Sequence, residues 1–581
     1  MKKIIIGVSV LLLTLMQTHA QTVYDAVDFA TKDLDGTARF VGMGGAMGAL
    51  GGDISTMGTN PAGIGIYRSN DASLSFSYSA LSTEAKYLGN TYNASKNRWN
   101  FDNIGVVFST KIGNQTTLRY VNFGFNYHKA NTFNRNMWMA GDLQGHSQLF
   151  QIAGMTDGLT PEHWNSGAIF DNNDIGWLSA LGWEGYLVSP STSSLPDDIA
   201  DQIANSQGKL NPENFGYYPI LGENNQPYYI DNVSGELTFN SVTNGQPNEK
   251  AYENYGFYTT VAGDAPYLRE YRSHESGGLD QYDFNVAFNL NDRVYLGLTV
   301  GAYDLDYNKY TLYNEDSQGR DGAGYKLESY NNISGGGVDF KLGAIIRPFQ
   351  YSPLRIGLAI HTPIFYKLTH TTSAVLTSDF AEEVIDTRNY LKGGDMNFEY
   401  QLKTPWTYNV SLGYTVGSSL ALGAEYEYKD YSNIKFQYSD GMDMSFETHQ
   451  AENFLRGVHT LRLGAEYKFI PQFSLRAGYN LMTSPYQDGS IKALSINSIN
   501  TDTDFMNLKA RNIYTLGIGY RGSIFYADLA YKLTSQKADF YPFAYCEMDD
   551  NDNVIYKELL SEPAKVKFSR SQVLLTLGMR F

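Results

Sequence analysis

Fourteen stretches of this chain alternate apolar and polar side chains with a period of two, and the joins between them alternate between long and short. The stretches run over 72–82, 101–111, 117–130, 279–290, 292–306, 336–347, 354–372, 396–416, 419–438, 455–469, 472–484, 509–521, 523–535 and 568–581. A period of two puts alternate side chains on opposite faces of a strand. In 279–290, Tyr282, Phe284, Val286, Phe288 and Leu290 share one face, and Gln281, Asp283, Asn285 and Asn289 share the other. On this reading Phe284 faces lipid, while Asn285 faces the lumen and tolerates a charge. The joins 83–100, 131–278, 307–335, 373–395, 439–454, 485–508 and 536–567 are long; 112–116, Asn291, 348–353, 417–418, 470–471 and Arg521-Gly522 are short. Short turns on one side and long loops on the other mark a transmembrane antiparallel β-barrel of an outer membrane, and an even strand number returns the chain to the side where it began.

Composition agrees where it bears on this. The chain holds 45 Tyr, 31 Phe and 56 Gly, and beyond its first residues no apolar run reaches the length of a transmembrane helix. Residues 1–20 read as a secretory signal: Lys2-Lys3, an apolar run from Ile4 to Met16, and Thr18-His19-Ala20 before Gln21. The sole cysteine, Cys546, cannot form an internal disulfide. In the last stretch Val573, Leu575, Leu577, Met579 and Phe581 alternate with Leu574, Thr576, Gly578 and Arg580, a pattern similar to the terminal signal read by the barrel assembly machinery.

The segment Gly42–Gly65 is of another kind. It has nine glycines in 24 residues and one charge, Asp53, too little side chain to form a core of its own. It must sit inside something. Asp53 is placed to cap a turn from Ile54, and Asn60 before Pro61 is an N-cap ahead of the favoured first helical residue. A dinucleotide loop does not fit, because the spacing is G-x-G-x-x-x-G and no strand leads into it.

Gly42-Met43-Gly44-Gly45-Ala46, then Asp53, then Asn60-Pro61-Ala62-Gly63 resembles the N-terminal hatch of the FadL-type long-chain fatty acid transporters of the outer membrane. The resemblance implies an all-β, 14-strand barrel with the hatch in its lumen. It also implies passive transport of hydrophobic or amphipathic ligands: capture among outer loops, hatch rearrangement, and lateral release through a gap in the wall. By order, 307–335 and 373–395 correspond to the capture loops, and Gly42, Gly44, Gly45, Asp53, Asn60, Pro61, Ala62 and Gly63 are the candidate gating residues. The chain then divides into a signal (1–20), a hatch (21–70) and a barrel (71–581) that includes an extracellular insert (131–278).

That insert departs from the family. It spans 148 residues, carries 18 Asp and Glu against five Lys and Arg, and holds Trp138, Trp164, Trp177 and Trp183. One helix is expected near Ser194, with Asp197 in a capping box. The expectation is an external cap over the mouth, replaceable over 140–270 by a linker without loss of the barrel. Its acidity excludes nucleic acid as a partner. Divalent bridging to lipopolysaccharide is the sharper reading of the acidity, also at Glu547, Asp549, Asp550 and Asp552, yet no spacing matches a metal loop.

Chemistry is sparse elsewhere. No G-x-S-x-G, H-E-x-x-H or C-x-x-C is present, so no catalytic residue, metal or cofactor is assigned. His361 and His370, nine apart, are expected on opposite faces, which offers no haem ligation. Arg462, Glu466 and Lys468 share a lumen face, as do Asp528 and Lys532, and are expected to pair within a hydrated interior. The function that emerges is passive outer-membrane transport of a hydrophobic small molecule by a monomer. The alternatives are a non-transporting scaffold like the related type IX secretion shuttle, and a diffusion porin.

Overall fold

The computed structural model describes residues 21–159, 161–164, 169–190, 229–230, 233, 237–250, 257–259, 266–317, 324–349, 351–548, 554–560 and 562–581. The signal segment, the helix expected near Ser194 and Asp197, and the carboxylates Asp549, Asp550 and Asp552 lie outside these residues.

Fourteen antiparallel strands each pair with their neighbour in sequence, and the last pairs with the first through Asp71↔Arg580 to Lys86↔Lys565. They are β1 (Asp71–Tyr87), β2 (Asn90–Lys111), β3 (Leu118–Thr132 and Arg135–Asp142), β4 (Pro266–Leu290), β5 (Val294–Ser317), β6 (Gly324–Ile346) and β7 (Arg355–His361 and Phe365–Ser378). The circuit continues with β8 (Met396–Lys403 and Thr407–Val416), β9 (Leu420–Asp430 and Lys435–Tyr438), β10 (Gly457–Ile470), β11 (Phe473–Met482), β12 (Phe505–Arg521), β13 (Phe525–Tyr541) and β14 (Ala564–Arg580). Outward side chains are apolar around the ring, among them Phe284, Leu298, Leu342, Leu412, Leu516 and Leu575, all exposed. Such a belt is what a bilayer requires. No helix among the described residues is long and apolar enough to cross a membrane.

Several strands outrun that belt. A spanning strand needs about 9–11 residues, yet β4, β5 and β6 have 25, 24 and 23. On β5 the exposed outward residues pass from Leu296, Leu298 and Val300 to Asp304 and Asp306, so its outer half stands clear of lipid. The long joins are correspondingly shorter than the sequence suggests. The join 83–100 is a hairpin turning at Leu88 and Gly89, both at positive φ (46° and 83°). The expected capture loop 307–335 is mostly paired strand, Asp306↔Ser334 to Asp316↔Gly324, and β7 takes the start of 373–395.

Three adjacent strands break at one level. Thr362-Pro363-Ile364 interrupts β7, Thr404-Pro405-Trp406 interrupts β8, and Tyr431–Ile434 interrupts β9. Proline cannot donate to a ladder, which fixes the first two sites. The break in β7 is sealed by Thr362 N–H donating to Phe340 O (2.9 Å) and Ile364 N–H to Thr404 Oγ1 (2.8 Å). The irregularity also shifts the phase of the strand. His361 and His370 consequently both point inward, 5% and 1% exposed, rather than to opposite faces.

A lumen filled by the N-terminal segment

Residues 22–67 run inside the barrel as α1 (Val23–Ala30), α2 (Ala38–Gly42) and two 3-10 turns, Ile54–Gly58 and Pro61–Ile66. Each start is capped by its own side chain: Thr22, Thr37, Asp53 and Asn60 accept from the backbone N–H of Asp25, Phe40, Ser55 and Ala62. Asp53, 5% exposed, also accepts from Thr37 Oγ1 at 2.9 Å, which ties the first 3-10 turn to the start of α2. Asn60 is fully buried and donates to Gly48 O (2.9 Å) and to Ala344 O of β6 (3.3 Å), joining the segment to itself and to the wall.

The wall receives this segment through glycines. β5 to β12 each carry an inward glycine where the segment passes: Leu-Gly-Leu at 296–298, Leu-Gly-Ala at 342–344, Ile-Gly-Leu at 356–358, Leu-Gly-Tyr at 412–414, Leu-Gly-Ala at 422–424 and 463–465, Ala-Gly-Tyr at 477–479 and Leu-Gly-Ile at 516–518. A Cβ on Gly423 would fall on the Ala46 carbonyl, one on Gly464 on the Met43 carbonyl, and one on Gly478 on the Gly44 nitrogen. Backbone therefore lies on backbone. Gly44 and Gly45, at φ +63° and +79°, turn the segment where it passes. Thr515 Oγ1 donates to Gly42 O (3.2 Å), Asn285 Nδ2 to Pro61 O (3.3 Å), and Gly48 N–H to Glu425 Oε2 (3.0 Å).

The eight residues picked from the sequence thus lie in one layer. Ala62 is fully buried in it, and a Cβ on Gly63 would meet Thr56 Oγ1. The wall glycines were not picked, although their recurrence at the inward phase of eight consecutive strands was available as a signal. Asn285 needs correction as a tolerant lumen position: it is 5% exposed beneath Pro61 and also donates to Thr299 Oγ1 (2.8 Å), so an Arg there has no room.

Charges expected to pair across an open interior pair largely with the segment or around it. Arg39 meets Glu466 (2.9 Å), which also meets Arg476 (2.7 Å), and Arg476 reaches Asp528 (2.6 Å). Asp33 lies between Lys532 (3.3 Å) and Arg570 (3.1 Å). Burial pushes its carboxyl up, but Lys532, Arg570 and Arg511 outweigh burial and hold it below the usual range. Arg462 binds Glu425 (2.6 Å) and Glu427 (3.1 Å). Among the described residues Lys468 has no such partner. Asp28 of α1 is raised to about 6, by burial first, against the pull of Arg135 at 3.6 Å. Lys32 is lowered to about 7, by burial and then by Lys341.

Above this layer α1 packs in an apolar cluster: Tyr24 stacks on Tyr486 (4.9 Å) and Phe29 meets Tyr307 edge-on (5.6 Å). Higher still, α3 (Gln148–Thr156) and α4 (Trp177–Glu184) of the insert sit within the mouth. Leu149, Ile152, Trp177 and Leu181 pack against Tyr87, Tyr271, Tyr325 and Phe540 of the wall. These two helices of the insert are therefore sunk between the strands, and Arg135–Asp142 and Pro266–Gly278 are wall. Replacing 140–270 would cut into β3 and β4.

One seam in the wall is incomplete. β2 pairs with β3 only from Asn103↔His128 to Lys111↔Tyr120, so the outer part of β2 has a ladder on one side only, and its other edge is held by side-chain bonds such as Trp138 Nε1 donating to Asn93 O (3.1 Å). β3 breaks just above, at Phe133-Asn134. Its outer piece pairs with β4, and across the seam Arg98 Nη1 donates to Asn134 Oδ1 (2.8 Å). Behind the break a cavity of about 100 Å³ is lined by Val27 and Asp28 of α1, its C-cap Thr31, and Phe133, Arg135 and Phe568.

A closed, lipid-belted wall of 14 strands around a buried N-terminal segment defines an outer-membrane β-barrel. Residues 252–528 match the family described as outer membrane protein transport protein (OMPP1/FadL/TodX). Among solved structures it is similar to a Pseudomonas aeruginosa FadL homologue (12% identity, covering 95% of this chain and 99% of that one, TM-score 0.45). It is also similar to the P. putida toluene transporter TodX (10%, 94% and 99%, 0.45) and the Ralstonia pickettii toluene transporter TbuX (12%, 94% and 99%, 0.42). No curated protein matches. The family match begins after Gly65, so the candidate gating residues lie outside it.

Proposed function

We propose that this chain is a passive, non-enzymatic transporter of hydrophobic or amphipathic small molecules, with residues 21–70 as its hatch. The observation that carries the reading is the half-paired edge of β2 beside a cavity shared by α1 and the break in β3. A ligand that reaches this cavity has an exit sideways into lipid and need not cross the polar layer below it.

On this reading, capture occurs at the outer rim, where aromatic side chains of the insert and the extended strands gather. Movement of α1 then opens the small cavity, and the layer of Gly42, Gly44, Gly45, Asp53, Asn60, Pro61, Ala62 and Gly63 remains as a seal against water. Wall closure within one chain supports a monomer. Asn131 supports a coupling of exit to hatch: its Nδ2 donates to Thr31 O (3.0 Å) and Asp28 O (3.2 Å) from the residue pair adjoining the break.

The test is a reversible lock. Cysteines at Arg98 and Asn134, joined by a short cleavable bis-maleimide, should stop uptake of a labelled fatty acid into cells, and cleavage should restore it. Uptake that continues with the seam locked would refute lateral release.

A further inference from the structure

The cavity at the short-turn end of the lumen stands apart from the rest of this acidic chain in its charge. It holds about 490 Å³ between the hatch and the wall, beside the turn 417–419 and the end of β12. Arg39, Arg68, Arg355, Lys468, Arg521 and Arg580 line it, with Glu466 as the one carboxylate in the lining, in a chain whose formal net charge is −17. Three of the cations are satisfied: Arg39 by Glu466 (2.9 Å), Arg68 by Asp292 (2.8 Å) and Arg580 by Asp71 (2.8 Å).

The other three are not. Among the described residues Arg355, Lys468 and Arg521 have no carboxylate within 4.0 Å. Arg355 gives one guanidinium N–H to Leu50 O (2.7 Å), and its buried Nε has no partner. The Arg521 guanidinium faces the ring of Tyr526, 5.2 Å away. Like charges that converge on one cavity repel each other, and an anion bound among them relieves that repulsion. Guanidinium forks match carboxylate and phosphate oxygens in particular.

We propose that this periplasmic vestibule binds an oxyanion, the carboxylate or phosphate of a soluble organic anion or of an amphiphile. The bound group lies between cations of the hatch, Arg39 and Arg68, and cations of the wall, so its occupancy fastens the hatch to the barrel. The site stands independently of the lateral exit, because none of its residues lines the cavity beside β3.

The experiment is calorimetric titration of the full chain in a non-ionic detergent with citrate, with laurate and with neutral dodecanol. The wild type is compared with Arg355→Gln/Lys468→Gln/Arg521→Gln and with Lys435→Gln, an exposed lysine far from the cavity. Heat-modifiable gel mobility reports folding of each protein, and Lys468→Gln alone, on an exposed side chain, serves if the triple variant does not assemble. The expected result is a loss of about tenfold or more in anion affinity in the triple variant and a smaller loss in Lys468→Gln. Lys435→Gln and dodecanol binding should be unchanged. A loss for both anions marks a site open to soluble and amphiphilic anions, and a loss for one alone names the source. Anion affinities equal in wild type and in the variants, or no anion binding by the wild type, would overturn the proposal. Fatty-acid uptake by the triple variant separates this outcome from failure of the transport reading.

Discussion

Gly423→Ala tests whether the hatch is seated by direct contact with the wall. The strand tolerates alanine by itself, since Gly423 has no positive φ. The hatch does not, because the new Cβ would fall on the Ala46 carbonyl with Leu50 Cδ1 3.2 Å away. Backbone cannot swing aside as a flexible side chain can. Overpacking of this kind costs about 1 to 3 kcal/mol, and since the wall is held by full ladders on both sides, the strain falls on the hatch. The undocked population should rise by about 5 to 150-fold. Gly464→Ala, facing the Met43 carbonyl from the next strand, should act in the same direction. Gly393→Ala, with nothing within 4 Å, is the control. The assay is single-channel recording in planar bilayers, with heat-modifiable mobility to show that each barrel assembles. Both wall variants should conduct in more frequent bursts than wild type and Gly393→Ala. Closed channels in both would mean that these contacts do not seat the hatch.

Two further outcomes follow from the same contacts. Phe284→Arg, on the lipid face at 55% exposure, should hinder assembly by about 2 to 4 kcal/mol if it lies at the midplane, and Asn285→Arg should assemble but displace the turn at Pro61; outer-membrane fractionation and protease sensitivity of the hatch separate the two. Asp28, with a pKa raised to about 6 when docked against about 3.9 when free, favours docking fully below the free value and loses that contribution as pH rises through about 6. Hatch protection in hydrogen exchange should therefore fall between pH 4 and 7, and Asp28→Asn should remove that part of the change.

How much of this was legible depended on what each face touches. Where a strand has lipid on one side and hatch or water on the other, as in Tyr282–Leu290, the period of two is written in the side chains, and all fourteen strands could be placed. Toward the outer edge of the bilayer, and beyond it, that contrast fades. Asn90–Asn100 reads Asn-Thr-Tyr-Asn-Ala-Ser-Lys-Asn-Arg-Trp-Asn and looks like a loop, yet it forms a ladder with β1. The breaks at Thr362-Pro363 and Thr404-Pro405 carried their signal in the prolines. Their effect on His361 and His370 was hidden, because a shift of phase depends on how the irregularity is closed across the neighbouring strand. The N-terminal segment announced itself as a lumen filling by having too many glycines to stand alone. Its counterpart in the wall did not, since each of these glycines reads singly as a weak strand former and only the eight together mark a surface for backbone to lie on. The vestibule charges were scattered over turns and strand ends, and only the folded chain brings Arg355, Lys468 and Arg521 together.

The N-terminal segment fills a barrel that should stand without it. Deleting residues 25–65 removes no strand, so the variant should reach the outer membrane and show heat-modifiable mobility. Its conductance in a planar bilayer is the direct measurement. The full-length protein should be nearly silent, and the deletion should show large, stable conductance. A full-length protein that already conducts as freely as the deletion would contradict it, and the chain would then be a diffusion porin.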